Sequence, residues 1–322
     1  MTKLYAIADL HLSYKHNRDA LDELRPHLED SLIICGDVGE KLEHLQDAFR
    51  ITTTLFKQVF WVPGNHELYT LPGRGDRTDG HEDDALNKEL RGELKYAECL
   101  RVANEYGIIT PEDEYVKWEG EGGPCIICPL FTLYDYSFRP DDVSRADALE
   151  WAMEENIVAT DEALLHPDPY ESRDQWCEEL VAKAEERLEA TSRRGIPLVL
   201  VNHWPLREDT ITIPTIPRFS LWCGTKKTEH WHTRYNAKVV VTGHLHVRRT
   251  DWRDGVRFEE VSLGYPRQWQ MAKDRGLDIN DLLREVLPAT DMVDPGDGST
   301  IWRRSGRPSK ALERGASYKP QE

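Results

Sequence analysis

The sequence has no apolar run that approaches the roughly 20 residues needed to cross a bilayer, and its mean hydropathy is −0.63. No leader of the secretory type precedes the first apolar run, and the six cysteines are widely scattered. We therefore expect neither a membrane protein nor a disulfide scaffold. The expected location is the cytoplasm, where thiols stay reduced.

The sequence also lacks an excess of basic residues. Its 322 residues include 41 Lys and Arg against 58 Asp and Glu, which gives a formal charge of −17. A charge of this sign opposes loose electrostatic binding to DNA, RNA or an anionic membrane surface. Nucleic acid is therefore a disfavoured partner, and an anionic substrate has to be attracted locally, for example by metal ions.

Short apolar runs alternate with amphipathic stretches, which predicts an α/β layered fold in one large domain or two smaller ones. In the first amphipathic stretch, Leu21, Leu24 and Leu28 have the spacing of one helical face. The runs that we predict as buried strands comprise residues 4–8, 32–35, 59–62, 126–130, 198–201 and 239–242.

Composition also divides the chain. We predict a catalytic domain over residues 1–290 and a weakly packed or disordered tail over residues 291–322, where few apolar residues remain. Within the domain, residues 140–195 read as an acidic helical insertion, in which Ser172 and Gln175 have the spacing of a capping box. Residues 71–84, rich in Gly, Asp and Arg, fit a substrate-contacting lid and a surface loop equally well.

Five of the six predicted strands are followed directly by polar residues that can ligate a metal. Ligand sites in α/β sheets collect beyond the carboxyl ends of strands. A single pair of this kind is more often a turn or a helix cap, but five in one chain are hard to explain as turns. If the first strand stays extended, a spacing of two puts Asp9 and His11 on the same side. The blocks are Asp9-Leu10-His11, Gly36-Asp37, Gly64-Asn65-His66-Glu67, Asn202-His203 and Gly243-His244-Leu245-His246.

These residue types predict two divalent metal ions. Imidazole and carboxylate ligands together favour Mn, Fe, Zn or Ni over Ca or Mg alone. The blocks offer too many ligands for one ion, whereas two ions that share a bridging carboxylate lie ~3.5–4 Å apart and take about four ligands each. Asp37 is the best candidate for the bridge because it is the carboxylate in the middle of the set.

The five blocks, in this order, resemble those of the calcineurin-like metallophosphoesterase superfamily and extend from Asp9 to His246. The resemblance implies a four-layer αββα sandwich, in which helices flank two mixed β-sheets. It also implies hydrolysis of a phosphate ester by a hydroxide that bridges two metal ions, for which we favour manganese. By the same resemblance, one ion is held by Asp9, His11, Asp37 and His246, and the other by Asp37, Asn65, His203 and His244.

His66 has no metal to bind in the scheme of this family, so we predict that it is the general acid that protonates the leaving group. Glu40, three residues after Asp37, is a candidate to hold its ring. Protein phosphatases of the family have Gly-Asp-x-x-Asp-Arg-Gly at this place. In this chain the second Asp is a glutamate, and the Arg and Gly are absent, which weakens an assignment as a Ser/Thr protein phosphatase.

We expect the substrate to be a small or medium-sized phosphorylated metabolite or nucleotide, as a monoester or a diester. The alternatives are a DNA nuclease of the Mre11/SbcD type, a protein phosphatase and a non-catalytic scaffold. The acidic charge and the lack of an obvious basic, aromatic-lined groove count against the nuclease. The presence of every ligand counts against the scaffold. The sequence leaves the oligomeric state open.

Four other residues are further candidates for a functional role. Arg18 and Arg207 have the chemistry to clamp a phosphate oxygen, with a surface salt bridge as an equal alternative for each. Cys125 and Cys128 have the spacing of a redox or zinc pair. In a strand, however, a spacing of three points the two side chains to opposite faces, so we predict core cysteines.

Overall fold

The structure is a computed structural model that describes residues 2–71, 90–290, 292 and 295–303. Its strands form two mixed sheets. In chain order the strands are β1 (Leu4–Ile7), β2 (His27–Cys35), β3 (Phe56–Val62), β4 (Val116–Trp118), β5 (Cys125–Pro129), β6 (Leu198–Val201), β7 (Ala237–Thr242), β8 (Arg249–Arg253), β9 (Val256–Glu260), β10 (Arg284–Leu287) and β11 (Thr300–Trp302).

The strands that precede the predicted ligands run parallel to one another within each sheet. The four-stranded sheet has the order β10-β1-β2-β3, and β10 is antiparallel to β1. The seven-stranded sheet has the order β11-β8-β9-β7-β6-β5-β4, in which β9, β7, β6 and β5 are parallel. Their carboxyl ends therefore gather at one edge of each sheet.

Helices cover the outer faces of the sheets, and short 3₁₀ turns lie at His66–Leu68, Glu208–Thr210, Pro217–Trp222 and Lys226–Thr228. The helices are α1 (Lys15–Asp22), α2 (Leu42–Leu55), α3 (Gly92–Glu105), α4 (Ala148–Met153), α5 (Asp161–Leu164), α6 (Arg173–Ser192), α7 (Trp231–Arg234), α8 (Pro266–Asp274) and α9 (Ile279–Leu282). Within the described residues, none of them is both long and apolar enough to cross a bilayer.

In the parallel strands β1, β2, β6 and β7, alternate residues enter two different cores. Ala6, Ile33 and Val241 belong to a buried cluster between the two sheets. Their neighbours Ile34 and Val240 belong to the cluster that the helices cover. Strands that are buried on both faces are apolar at nearly every position, which is why the sequence shows continuous runs rather than alternation. The predicted sandwich of two mixed sheets flanked by helices is confirmed.

All six predicted strands are present, as β1, β2, β3, β5, β6 and β7. The predicted helical face of Leu21, Leu24 and Leu28 is wrong at its end, because α1 stops at Asp22. Leu28 lies in β2 and is 63% exposed. The residue before a proline is disfavoured in a helix, and Pro26 therefore separates the helix from the strand.

The segment 140–195 is helical, as predicted, and contains α4, α5 and α6. The backbone N–H of Gln175 donates to Ser172 Oγ at 3.2 Å and caps α6. Cys125 faces the core between the sheets and Cys128 the core under the helices, so both are core cysteines. The division of the chain into a domain, an insertion and a tail stays a prediction.

Residues 300–303 differ from the weakly packed tail predicted for residues 291–322. Thr300–Trp302 forms β11 and pairs with β8, and Arg303 is only 3% exposed. Arg303 Nη2 lies 3.1 Å from Glu259 Oε2, and its Nε donates to Thr250 Oγ1 at 2.9 Å. These polar contacts of Arg303 anchor the end of β11. A prediction based on the scarcity of apolar residues missed this anchor because its contacts are polar. Residues 304–322, and residues 72–84 of the predicted loop, lie outside the described residues.

We expect Arg303→Ala to lower the free energy of unfolding by about 3 kcal/mol, since it leaves a buried carboxylate with fewer partners. This value lies near the lower end of the range of destabilisation for breaking a buried ion pair, because Arg284 and Arg257 also contact Glu259. Urea denaturation measures the change, and Arg275→Ala, at an exposed arginine after α8, is the control. Equal stability of the two variants would show that the anchor is not needed.

Candidate metal centre

The structure brings all seven predicted ligands together beyond the carboxyl ends of β1, β2, β3, β6 and β7. We call Asp9, His11, Asp37 and His246 the first donor group. Its ligand atoms all lie within 4.8 Å of one another. His246 Nε2 is 2.9 Å from Asp9 Oδ1 and 3.0 Å from His11 Nε2.

We call Asp37, Asn65, His203 and His244 the second donor group. His203 Nε2 lies 3.5 Å from Asp37 Oδ2 and 3.3 Å from His244 Nδ1. The amide oxygen of Asn65 approaches His244 Nδ1 to 3.2 Å. Asp37 is common to both groups, which is the position that a bridging carboxylate needs.

Left-handed backbone turns aim these side chains. The φ angles are 55° at Asp9, 43° at His11, 55° at Asp37, 72° at His244 and 56° at His246. A residue other than glycine costs roughly 1–2 kcal/mol in this region, and such strain concentrates at functional sites. The condition that the first strand stays extended to His11 is not met, because β1 ends at Ile7 and left-handed turns direct the two side chains.

The glycines of the blocks leave space for the ligands. A Cβ added to Gly64 would lie 2.2 Å from Asp37 Oδ1 and 2.6 Å from Asp37 N. A Cβ added to Gly243 would lie 2.7 Å from Asp9 Oδ2. Both distances are far inside van der Waals contact, so only glycine fits at these two places without a shift of the ligands.

Hydrogen bonds fix the rings of two histidines. His203 Nδ1–H donates to the carbonyl oxygen of Cys35 at 2.8 Å, and His246 Nδ1–H donates to Gln268 Oε1 at 2.8 Å. Gln268 Oε1 also accepts from the backbone N–H of Tyr265 at 2.7 Å, which identifies it as the oxygen. Each ring thus carries its proton on Nδ1 and presents Nε2 to a carboxylate, as metal-binding histidines do.

Glu67, the last residue of its block, holds two ligand loops together. Its carboxylate accepts from the backbone N–H groups of Asp37 at 3.0 Å, Val38 at 2.5 Å and Gly64 at 2.7 Å. Glu67 belongs to the block Gly64-Asn65-His66-Glu67, but no role was predicted for it from the sequence. The block itself was the signal, since a glutamate at a fixed distance from a ligand often supports it.

Burial and the two carboxylates set the protonation of the ligand histidines. Burial lowers the pKa of both His11 and His244 to about 3, so these imidazoles are neutral and free to bind a cation. Burial opposes a charge on His203 as well, but the Asp37 carboxylate raises the pKa of His203 to about 10. A proton on His203 thus balances Asp37, and a divalent cation would displace it.

The donor chemistry fits divalent metal ions. Imidazoles, carboxylates and one amide oxygen converge from buried or partly buried positions, and carboxylates buried in this way need a cation as partner. The mixture of nitrogen and oxygen atoms suits Mn, Fe, Zn or Ni. Which of these metals is native stays a prediction, with manganese favoured.

His66 stands beside both donor groups. Its Nδ1 lies 2.8 Å from Glu40 Oε1, and its Nε2 lies 3.9 Å from Asp37 Oδ2. Burial would lower the pKa of His66, but Asp37 and Glu40 raise it to about 9. The ligand atoms of His11, Glu40 and His66 also lie within 4.8 Å of one another. The ring contact with Glu40 anticipated from the sequence is therefore present.

The two candidate arginines have other partners. Arg207 pairs with Asp209 at 2.8 Å and with Asp254 at 3.2 Å, which is the surface salt bridge left as the alternative. The guanidinium of Arg18 donates to the carbonyl oxygen of Leu12.

Tyr265 also lies at the site and was not predicted from the sequence. Its ring stacks on that of His11, with ring centroids 4.3 Å apart and an angle of 25° between the ring planes. No signal could have found it, because Tyr265 lies well beyond the last block.

The sequence model described as calcineurin-like phosphoesterase matches residues 2–248 of this chain. The chain is 44% identical over 287 residues to the [acyl-carrier-protein] phosphodiesterase PptH of Mycobacterium tuberculosis, covering 88% of this chain and 83% of that protein. The crystal structure of the phosphopantetheinyl hydrolase PptH from the same organism matches with a TM-score of 0.80 and 43% identity. That match covers 92% of this chain and 99% of the other.

We expect Gly64→Ala to weaken Mn²⁺ binding at least tenfold, since the new methyl group would displace Asp37, and support of ligands is worth about 10–100-fold in affinity. Calorimetric titration measures the affinity. The control is Gly195→Ala, because Gly195 also has a left-handed φ of 67° but no atom within 4 Å of an added Cβ. If Gly64→Ala binds Mn²⁺ as tightly as the control does, the space around Asp37 is not restrictive.

Proposed function

This chain belongs to the calcineurin-like phosphoesterase family, and we propose that it hydrolyses the phosphodiester that joins a phosphopantetheinyl group to an acyl carrier protein. The family and the relative show that it is a metal-dependent phosphoric ester hydrolase. The similarity to PptH, which covers 92% of this chain and 99% of that one, carries the proposal.

This substrate replaces the small metabolite or nucleotide expected from the sequence. The blocks identify a chemistry that the whole family shares and therefore hold no information on the substrate. The activity named for the relative, an [acyl-carrier-protein] phosphodiesterase, favours a phosphodiester on a protein. The alternatives of a DNA nuclease, a protein phosphatase and a scaffold gain no support from the comparisons.

We assign the two donor groups as two metal sites that share Asp37. Asp9, His11 and His246 would hold one divalent cation and Asn65, His203 and His244 the other, and such cations would supply Lewis acidity toward water and the phosphate oxygens. His203 and His246 contribute Nε2 atoms that their Nδ1 hydrogen bonds hold in place. Asp9 is held in turn by Ser262, whose hydroxyl donates to Asp9 Oδ2 at 2.5 Å.

We assign His66 as the general acid. Glu40 engages Nδ1, so the proton to be donated resides on Nε2, which faces the centre near Asp37. The pKa of about 9 keeps the ring protonated at neutral pH, with burial opposing the charge and Asp37 and Glu40 favouring it. A diester of a carrier protein releases an alkoxide, which is a poor leaving group and needs this proton.

The direct test incubates the purified chain and Mn²⁺ with a carrier protein that bears the phosphopantetheinyl group. Mass spectrometry follows the loss of that group from the protein. We expect conversion to the unmodified carrier protein, and none with Asp37→Asn, which removes the shared carboxylate. If the chain hydrolyses bis(p-nitrophenyl) phosphate but leaves the carrier protein intact, the substrate assignment is wrong.

We expect His66→Ala to lower kcat on the carrier diester by at least about 100-fold, within the usual range for loss of a general acid. The same variant should lose much less on bis(p-nitrophenyl) phosphate, since p-nitrophenolate leaves without a proton. His230→Ala, at an exposed histidine before α7, is the control. Full activity of His66→Ala on the carrier diester would contradict the assignment.

A further inference from the structure

We propose that Asp161, which the helical insertion supplies, is a positioning residue that holds the amide of Asn65 with its oxygen toward the second donor group. The proposal rests on the two-metal site proposed above. It concerns an interaction between two parts of the chain that are almost 100 residues apart in sequence. The interaction would give the insertion a role in positioning a ligand of the metal centre.

The contacts of the Asn65 amide are the first observation. Its Nδ2 donates to Asp161 Oδ1 at 3.0 Å and to Tyr69 Oη at 2.9 Å. Its Oδ1 lies 3.2 Å from His244 Nδ1. Both hydrogen-bonding partners are thus on the nitrogen side, and the oxygen side faces the ligands.

These partners are compatible with only one orientation of the Asn65 amide. The hydroxyl of Tyr69 donates its single proton to Asp161 Oδ1 at 2.6 Å, so toward Asn65 it can only accept. Asp161 Oδ1 accepts from both neighbours. If the amide turned by 180°, its oxygen would face the oxygen of Asp161 and its NH₂ group would face the site of a cation, so it could not serve as a ligand.

The position of Asp161 is itself fixed by the insertion. Its carbonyl oxygen accepts from Arg173 Nη2 at 2.7 Å, and Arg173 Nη1 also pairs with Glu162 Oε2 at 3.0 Å. The backbone N–H of Thr70 donates to the carbonyl oxygen of Leu164 at 2.9 Å. Helix α5 is therefore attached on one side to α6 and on the other to the loop that carries Asn65.

A purely structural role explains this placement poorly. Asp161 is 2% exposed, and a buried position of this kind opposes the charge of a carboxylate. An apolar residue of similar size would be expected to stabilise such a site better. The acid is therefore expected to serve the ligand that it orients rather than the stability of the fold.

The test is titration of the metal-free protein with Mn²⁺ by calorimetry, together with the thermal midpoint of unfolding. We expect Asp161→Leu to weaken one of two Mn²⁺ sites at least tenfold and to leave the other site within about threefold, in line with the usual effect of residues that orient ligands. Asp161→Asn should restore the affinity to within about threefold, since its amide oxygen can still accept from Asn65 and Tyr69. Asp142→Leu, at an exposed aspartate of the same segment, is the control.

The outcomes separate this inference from the proposed function. If the unaltered chain binds two Mn²⁺ ions and Asp161→Leu binds both equally well, the inference is overturned while the two-metal proposal stands. It is also overturned if Asp161→Asn is as weak as Asp161→Leu. Fewer than two ions on the unaltered chain would overturn both proposals. Should Asp161→Leu not fold, Tyr69→Phe decides, with a several-fold loss at one site expected and an unchanged affinity contradicting the inference.

Discussion

Two carboxylates and three imidazoles are buried side by side beyond the ends of five strands, with the partly buried His246 beside them, and the surrounding structure has to accommodate this cluster. The carboxylates raise the pKa values of His203, His246 and His66 despite burial, so protons on these rings balance negative charge in the cluster. Divalent cations bound at the proposed sites would displace protons from the ligands His203 and His246.

Supports from distant parts of the chain hold this cluster in shape. Glu67 connects the loops after β2 and β3, Gln268 of α8 orients His246, and Asp161 of α5 contacts Asn65. A metal ligand must keep its direction as well as its place, and hydrogen bonds to its other atoms give that direction. The left-handed turn at Asp37 is tolerated because these contacts over-determine the loop.

Sequence patterns predicted the features that are local. Buried parallel strands are apolar throughout, and the ligands follow them directly, so both were visible in single stretches of sequence. Features that depend on tertiary contacts were missed. Asp161 and Tyr265 belong to no block, and Arg303 anchors β11 by polar contacts that composition cannot show. The substrate was missed for a related reason, since the blocks report the reaction and not the surface that receives the ester.

Anomalous diffraction from crystals of the Mn²⁺-loaded protein would locate the ions without reference to activity. We predict two peaks roughly 3.5–4 Å apart. Asp37 should lie between them, with His11 and His246 on one ion and Asn65 and His203 on the other. A single peak at full occupancy, or two peaks without Asp37 between them, would contradict it.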